Sequence, residues 1–208
     1  MNARLSSITI VDDRQGGALV VLEGPDHVGK STQVERLAQW FRQRKRSVCV
    51  SREPGGDALG ETIRTMLLGE SVDGWTELFL FLAGRARHLN EVIEPALRRG
   101  ELVILDRYTP STLVYQGAQL GEEVVLQLTS LPVFRRPEIT IILDCAAPLG
   151  ALDTLDRFEF SGLDGWHERR VRYQILARRF GWVLLSGDGS PESVTERLVG
   201  VLAQEGIG

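Results

Sequence analysis

The feature that most constrains this chain is an eight-residue segment of the pattern G-x-x-x-x-G-K-[ST], which begins at Gly24 and ends at Ser31. It follows a short apolar run, residues 18–23, and leads into an amphipathic stretch, residues 30–44. When a glycine-rich turn joins the end of a strand to the N-terminus of a helix, backbone N–H groups can surround a phosphate. The segment therefore predicts a nucleoside triphosphate site. Lys30 can reach the β- and γ-phosphate oxygens, and the Ser31 hydroxyl can bind Mg²⁺. The residues predicted to contact the triphosphate are Gly24, Pro25, Asp26, His27, Val28, Gly29, Lys30, Ser31 and Thr32.

Short β-branched runs alternate with longer amphipathic stretches along the chain. Parallel strands joined by helices form a sheet that is covered on both faces, and ligands bind beyond the carboxyl ends of its strands. We therefore predict an α/β fold with a five-stranded parallel sheet and helices on both faces. The predicted strands are residues 18–23, 47–50, 102–106, 138–144 and 182–185, and the predicted helices are 30–44, 58–68, 76–99, 163–180 and 191–204.

Length and charge exclude several classes of protein. A chain of 208 residues, 43% of them hydrophobic, suffices for one domain with a sizeable core. Its 24 basic and 28 acidic residues argue against a nucleic-acid partner or an anionic membrane, which favour a basic excess. The N-terminus lacks the pattern of a secretory signal, and a cytoplasmic protein is expected. Cys49 and Cys145 lie far apart in apolar runs, which predicts buried free thiols.

Charged residues also follow two other predicted strands. Asp106 ends the run LVILD and can hold Mg²⁺ together with Ser31, although a lone aspartate at a strand end is often a plain turn residue. Arg107 follows it directly, and Arg52 stands at the end of the second strand. Because a guanidinium group at this edge of a sheet suits a phosphate, the two arginines predict a second, phosphorylated ligand. The expected reaction is transfer of a γ-phosphoryl group to that ligand.

Four segments together resemble the thymidylate kinases, most closely the bacterial ones: GPDHVGKSTQ from residue 24, SREPGG from residue 51, DRY with STLVYQG from residue 106, and LDRFE from residue 155. The similarity covers residues 18–204. It implies a P-loop nucleoside monophosphate kinase fold and in-line phosphorylation of dTMP to dTDP with ATP and Mg²⁺. Residues 1–17 are interpreted as an N-terminal extension, and residues 18–208 as a single kinase domain with a short lid at about 146–160. A homodimer through the helices around residues 76–99 is also implied.

The resemblance assigns one group of residues to the phosphate and sugar of the acceptor. Asp26 would accept a hydrogen bond from the sugar 3′-hydroxyl, or else would only support the P-loop. Arg52 and Arg107 would bind the monophosphate. Tyr115 would crowd the sugar 2′-position and so favour deoxyribose.

A second group is assigned to the base. Phe81 would stack on the pyrimidine ring, although its apolar neighbours are equally typical of a core position. Arg85, one helical turn later, would donate to a ring carbonyl. Thr112 would read the ring N3–H, and Ser111 beside it would contact the substrate.

The chain departs from the family in the groups that supply mobile cations. His27 stands where some members have a P-loop arginine, and residues 145–154 contain neither arginine nor lysine. Arg157 matches the lid arginine that the family shares, and an exposed helix position is its alternative interpretation. The predicted catalytic residues are Lys30, Arg157, Asp26 and Arg107. Glu168, Arg169 and Arg170 are interpreted as a solvated helix face rather than as substitutes for the missing cations.

Three other functions remain open at the level of the sequence. The acceptor could be dUMP or a 5-substituted dUMP, and the depleted lid could leave a nucleotide-binding protein with weak turnover. A GTPase switch is disfavoured because the fourth predicted strand ends in LDCAAP rather than in N-K-x-D.

Overall fold

Five strands pair in parallel in the computed structural model, which describes residues 16–69, 72–150 and 162–208. Their order across the sheet is β2-β3-β1-β4-β5. The predicted α/β class and the five parallel strands are therefore confirmed. The strands are β1 (Ala18–Glu23), β2 (Val48–Arg52), β3 (Leu102–Asp106), β4 (Ile139–Asp144) and β5 (Val183–Ser186).

Helices connect the strands, and most of them lie where the amphipathic stretches predict them. The predicted helix 76–99 is interrupted, because Leu89–Ile93 forms a π-helical turn in which the Glu94 N–H donates to the Leu89 carbonyl. This wider turn falls directly before Pro95, which has no N–H for the helical ladder. The helices are α1 (Lys30–Gln43), α2 (Ala58–Gly69), α3 (Gly74–His88), α4 (Glu94–Arg98), α5 (Thr109–Leu120), α6 (Glu122–Thr129), α7 (Gly162–Phe180) and α8 (Pro191–Gln204).

The core lies on both faces of the central strand β1, which is buried along its whole length. Val20 and Leu22 pack on the face that is covered by α1 and α8. Leu19 and Val21 point to the opposite face, where residues of α3, α4, α5 and α7 pack. Burial of each such side chain contributes about 1.5–3 kcal/mol, so the strand that carries the P-loop is held firmly from both sides.

The register of the sheet brings charged residues to one edge. Asp106 at the end of β3 is level with Leu22 of β1 on one side and with Arg52 of β2 on the other. The P-loop leaves β1 at this edge, so the predicted phosphate-binding groups meet there. Within the described residues, no helix is long and apolar enough to span a membrane.

Candidate active site

The P-loop makes a turn that glycine residues allow. Gly24 has a φ of 136°, and a Cβ atom at this position would lie 2.4 Å from the carbonyl oxygen of Leu143. Gly29 caps α1 with a φ of 82°. Lys30 follows it, and its buried Nζ donates to the Pro25 carbonyl at 2.7 Å. The lysine therefore folds into the loop, where burial, followed by the charge of Arg107, lowers the pKa of its ammonium group.

Ser31 and Asp106 form the pair that the sequence predicts for Mg²⁺. The Ser31 Oγ donates to the Asp106 Oδ2 at 2.8 Å. The other carboxylate oxygen, Oδ1, is buried and has no hydrogen-bond partner among the described residues. These residues include no cluster of three His, Cys, Asp or Glu side chains that could enclose a metal. Mg²⁺ commonly keeps water and phosphate oxygens as ligands, so one hydroxyl and one carboxylate fit it.

Asp26 is the charged centre of the site and is 2% exposed. Its carboxylate accepts hydrogen bonds from Arg107 and, at 2.5 Å, from the Tyr115 hydroxyl. Burial raises the pKa of this carboxyl, but the charge of Arg107, followed by that of Lys30, outweighs burial, and the pKa lies well below its ordinary value. Asp26 is therefore ionised at neutral pH and holds Arg107 at the end of the P-loop.

Glu23 supports this centre, although the sequence analysis assigned it no role. It is fully buried at the end of β1 and accepts hydrogen bonds from the backbone N–H groups of Tyr108 and Ser111. It also accepts from the hydroxyls of Ser111, at 2.8 Å, and Tyr173, at 3.0 Å. These contacts hold the segment after β3, in which Arg107 has a φ of 69°. A glutamate that directly precedes a P-loop at the end of an apolar strand is the signal that could have identified it.

A cavity opens beside Asp26. It contains the residues predicted to bind the sugar and the base, of which Phe81 is half-buried and Arg85 is 3% exposed. Arg85 donates from Nη2 to the Thr112 hydroxyl at 3.0 Å and lies over the Tyr108 ring, with Cζ 4.6 Å from its centroid. The cavity is lined by Asp26, Glu53, Pro54, Arg64, Leu68, Phe81, Arg85, Arg107, Tyr108, Ser111, Thr112, Tyr115 and Gln116.

Of the residues predicted to bind the acceptor, Arg52 is the one that does not line this cavity. Its Nη2 pairs with Glu61 of α2 at 3.0 Å, and both side chains are about half exposed. Arg52 instead lines a neighbouring cavity with Ser31 and Asp106. The wall of the first cavity also includes Arg64 of α2, which is not among the predicted site residues. Binding of the acceptor monophosphate by Arg52 and Arg107 stays a prediction, and in this structure Arg52 pairs with Glu61 and Arg107 with Asp26.

The interpretation of Glu168, Arg169 and Arg170 as a solvated helix face is wrong for the two arginines, whereas Glu168 is exposed. Nε of Arg169 lies 4.0 Å from the Asp26 Oδ2, and its Cζ lies 5.5 Å from the centroid of the Tyr115 ring. Arg170 makes a two-point ion pair with Asp144 at the end of β4, at 2.5 and 3.0 Å. Both arginines face the sheet edge because α7 packs across it. The predicted catalytic residue Arg157 lies outside the described residues.

Comparisons with known proteins agree with this arrangement. Residues 22–198 match the family model described as thymidylate kinase. The thymidylate kinase of Dinoroseobacter shibae is 42% identical over 175 residues, covering 79% of this chain and 84% of that protein. That of Solidesulfovibrio magneticus is 37% identical over 208 residues, covering 89% and 98%. A crystal structure of thymidylate kinase from Ehrlichia chaffeensis superimposes with a TM-score of 0.75 at 27% identity, covering 90% of this chain and 99% of that chain. On this evidence, the chain belongs to the thymidylate kinase family.

Proposed function

We propose that the chain transfers the γ-phosphoryl group of ATP to dTMP and releases ADP and dTDP. One observation carries the proposal. Asp26 belongs to the P-loop and also lines the cavity that holds Arg85, so the same carboxylate borders both ligand sites. A nucleotide in the cavity would have its sugar and phosphate directed at the loop where the triphosphate binds.

Family membership supports the enzyme class, a nucleoside monophosphate kinase, and does not favour the other functions considered from the sequence. ATP is the expected donor, because the P-loop carries Lys30 and the helix N-terminus needed to bind a triphosphate. When bound, Mg²⁺ would neutralise charge on the phosphate groups, and Ser31 and Asp106 are the residues that would hold it.

The chemistry needs little acid–base work from the protein. An oxygen of the acceptor monophosphate is already anionic, and it attacks the γ-phosphorus while the bond from that phosphorus to the β,γ-bridging oxygen breaks. Asp26, with its lowered pKa, stays ionised and is suited to accept a hydrogen bond from the sugar hydroxyl. Arg107 and Lys30 supply positive charge near this carboxylate. Catalysis then comes from position and electrostatics.

The base end of the cavity favours a pyrimidine with a carbonyl group at position 4. A guanidinium group only donates hydrogen bonds, so Arg85 can bind a carbonyl oxygen but not the amino group of cytosine. Its Nη1 is buried and has no hydrogen-bond partner within the described residues. Thr112 lies beside it and can accept the N3–H of thymine. This combination supports dTMP or dUMP over dCMP.

We also propose that the protein forms a homodimer through α2 and α3. Large apolar side chains are exposed there, among them Phe79, which is 54% exposed. Its ring stacks on that of Trp75 with 6.1 Å between centroids, so the two exposed side chains form one apolar patch. A second copy of the chain would remove this surface from water.

A coupled assay of ADP release with dTMP, dUMP and dCMP tests the catalytic proposal. We expect turnover with dTMP, weaker turnover with dUMP and little with dCMP. Tight ATP binding without turnover of any pyrimidine monophosphate would contradict the proposal and favour a non-catalytic nucleotide-binding protein. Faster turnover of dUMP than of dTMP would contradict dTMP as the acceptor and identify dUMP as the preferred substrate.

A further inference from the structure

A cluster of buried polar side chains lies behind the base end of the cavity, and two of its members, Glu53 and His88, have no part in the chemistry described above. Glu53 follows β2, and Arg85 and His88 lie three residues apart on α3. Their exposed fractions are 8%, 3% and 1%, respectively. Buried charged groups are costly unless they are paired, so this cluster needs a structural or a functional reason.

Hydrogen bonds join the cluster from end to end. Arg85 Nε donates to Glu53 Oε2 at 2.7 Å, and His88 Nδ1 lies 3.2 Å from Glu53 Oε1. Since a carboxylate only accepts, Nδ1 is the donor. The other ring nitrogen, Nε2, lies 2.7 Å from the Ser51 Oγ. Both carboxylate oxygens and both ring nitrogens therefore have partners, which fixes the orientation of each group in the chain.

The backbone leaves room for these hydrogen-bonded side chains at Gly56. Gly56 has a φ of 82°, and a Cβ atom there would lie 2.3 Å from the Ser51 Oγ and 2.5 Å from the His88 Nε2. A larger residue at position 56 would displace the histidine ring. The loop after β2 is thus built around the hydrogen bond between Ser51 and His88.

These hydrogen bonds fix the orientation of the Arg85 guanidinium group. Its guanidinium is planar, so the bonds from Nε to Glu53 and from Nη2 to Thr112 fix the position of the third nitrogen, Nη1. Nη1 is buried, has no hydrogen-bond partner in the described part of the chain and belongs to a residue that lines the cavity, so its N–H groups are donors available to a guest. We propose that Glu53 and His88 are positioning residues that set base selectivity by aiming this N–H at a pyrimidine carbonyl. The inference rests on the proposed function and names the residues behind its selectivity.

The test compares three variants by kinetics and by equilibrium binding. His88→Leu removes the support of Glu53, His88→Asn keeps an N–H near the position of Nδ1, and His167→Leu is the matched change at an exposed histidine of α7. We expect His88→Leu to raise KM for dTMP about tenfold and to lower the preference for dTMP over dCMP by a similar factor, which is roughly one hydrogen bond. We expect kcat and the KM for ATP to change less than about twofold, because the P-loop is untouched. His88→Asn should recover much of the preference, and His167→Leu should match the wild type.

Two results would overturn the inference. One is an unchanged preference for dTMP over dCMP in His88→Leu. The other is an equal loss for dTMP, dCMP and ATP, which would indicate a general structural role. Titration calorimetry of dTMP and dCMP measures the preference without turnover, so a wild-type protein that binds dTMP selectively but does not phosphorylate it would contradict the proposed function alone. Wild-type protein that binds neither nucleotide would contradict both.

Discussion

Asp26 is a buried carboxylate that interacts with two arginine side chains, Arg107 and Arg169. Its contacts come from three separate elements, namely α5 through Tyr115, α7 through Arg169 and the end of β3 through Arg107. A charge in this position is stable only because its partners are buried with it. Changes at Asp26 should therefore affect folding as well as activity.

We predict that Asp26→Asn lowers the free energy of unfolding by about 2–3 kcal/mol at pH 7, because Arg107 then keeps its charge without the opposing one. The lowered pKa of Asp26 means that its contribution to stability is complete above the unfolded-state pKa, about 4, and is lost as the pH falls below it toward the folded-state pKa. The difference between wild type and variant should therefore shrink in the acid range. Urea unfolding at pH 7, 4 and 3 measures it.

The control for this experiment is Glu196→Gln, which removes a carboxylate from an exposed position of α8. It should leave the unfolding free energy nearly unchanged at pH 7. A stability difference between Asp26→Asn and wild type that stays constant down to pH 3 would show that the carboxylate charge is not the cause.

The side chain that places positive charge on the transferring phosphoryl group can also be identified by substitution of single residues. We predict that Arg157→Ala lowers kcat far more than it changes the KM for dTMP, since an arginine on the transferring phosphoryl group contributes about a thousandfold or more. Arg178→Ala, at an exposed position of α7, serves as the control. If kcat is unchanged in Arg157→Ala but falls in Arg169→Ala, the cation beside Asp26 serves instead.

Among the elements, the regular alternation of strands and helices was predictable and its interruptions were not. The predicted helices leave out the segment between β3 and β4, where α5 and α6 lie. Two signals were present: Pro110 in the first turn of α5, and acidic residues in the first turn of α6. These signals are weak beside tertiary packing, because α5 packs on α3, α6 and α7, and α6 packs on α5.

The turn between β1 and α1 allows a prediction at the same scale. Gly24→Ala places a methyl group against the Leu143 carbonyl in a backbone conformation that alanine adopts only with strain. We expect a loss of about 2 kcal/mol or more in unfolding free energy, and weaker ATP binding. Gly200→Ala is the matched change inside α8, where a Cβ atom would meet no atom within 4 Å. It should stabilise the protein by about 0.5–1 kcal/mol, and equal effects of the two substitutions would contradict the argument.

For the molecule as a whole, the apolar surface of α2 and α3 predicts its assembly. We expect sedimentation analysis at micromolar concentration to show a dimer for the wild type and a monomer for Phe79→Glu, because a charge at the interface core prevents its burial. Ile175→Glu, at a 55% exposed position of α7, is the control and should remain dimeric. Dissociation by the control alone would place the interface on α7 instead.

The sequence was sufficient for the sheet, the P-loop and the type of ligand. These depend on residues that are close along the chain, because a glycine turn before a helix presents its backbone N–H groups to an anion without help from distant residues. The placement of Arg52 on Glu61 and of Arg169 beside Asp26 required the packed structure, since α2 and α7 must first dock on the sheet. The hydrogen bonds of Glu53 to Arg85 and His88 also required the packed structure, because they join residues more than thirty positions apart. Local order along the chain predicts which groups bind an anion, and the docking of helices decides which of them share a cavity.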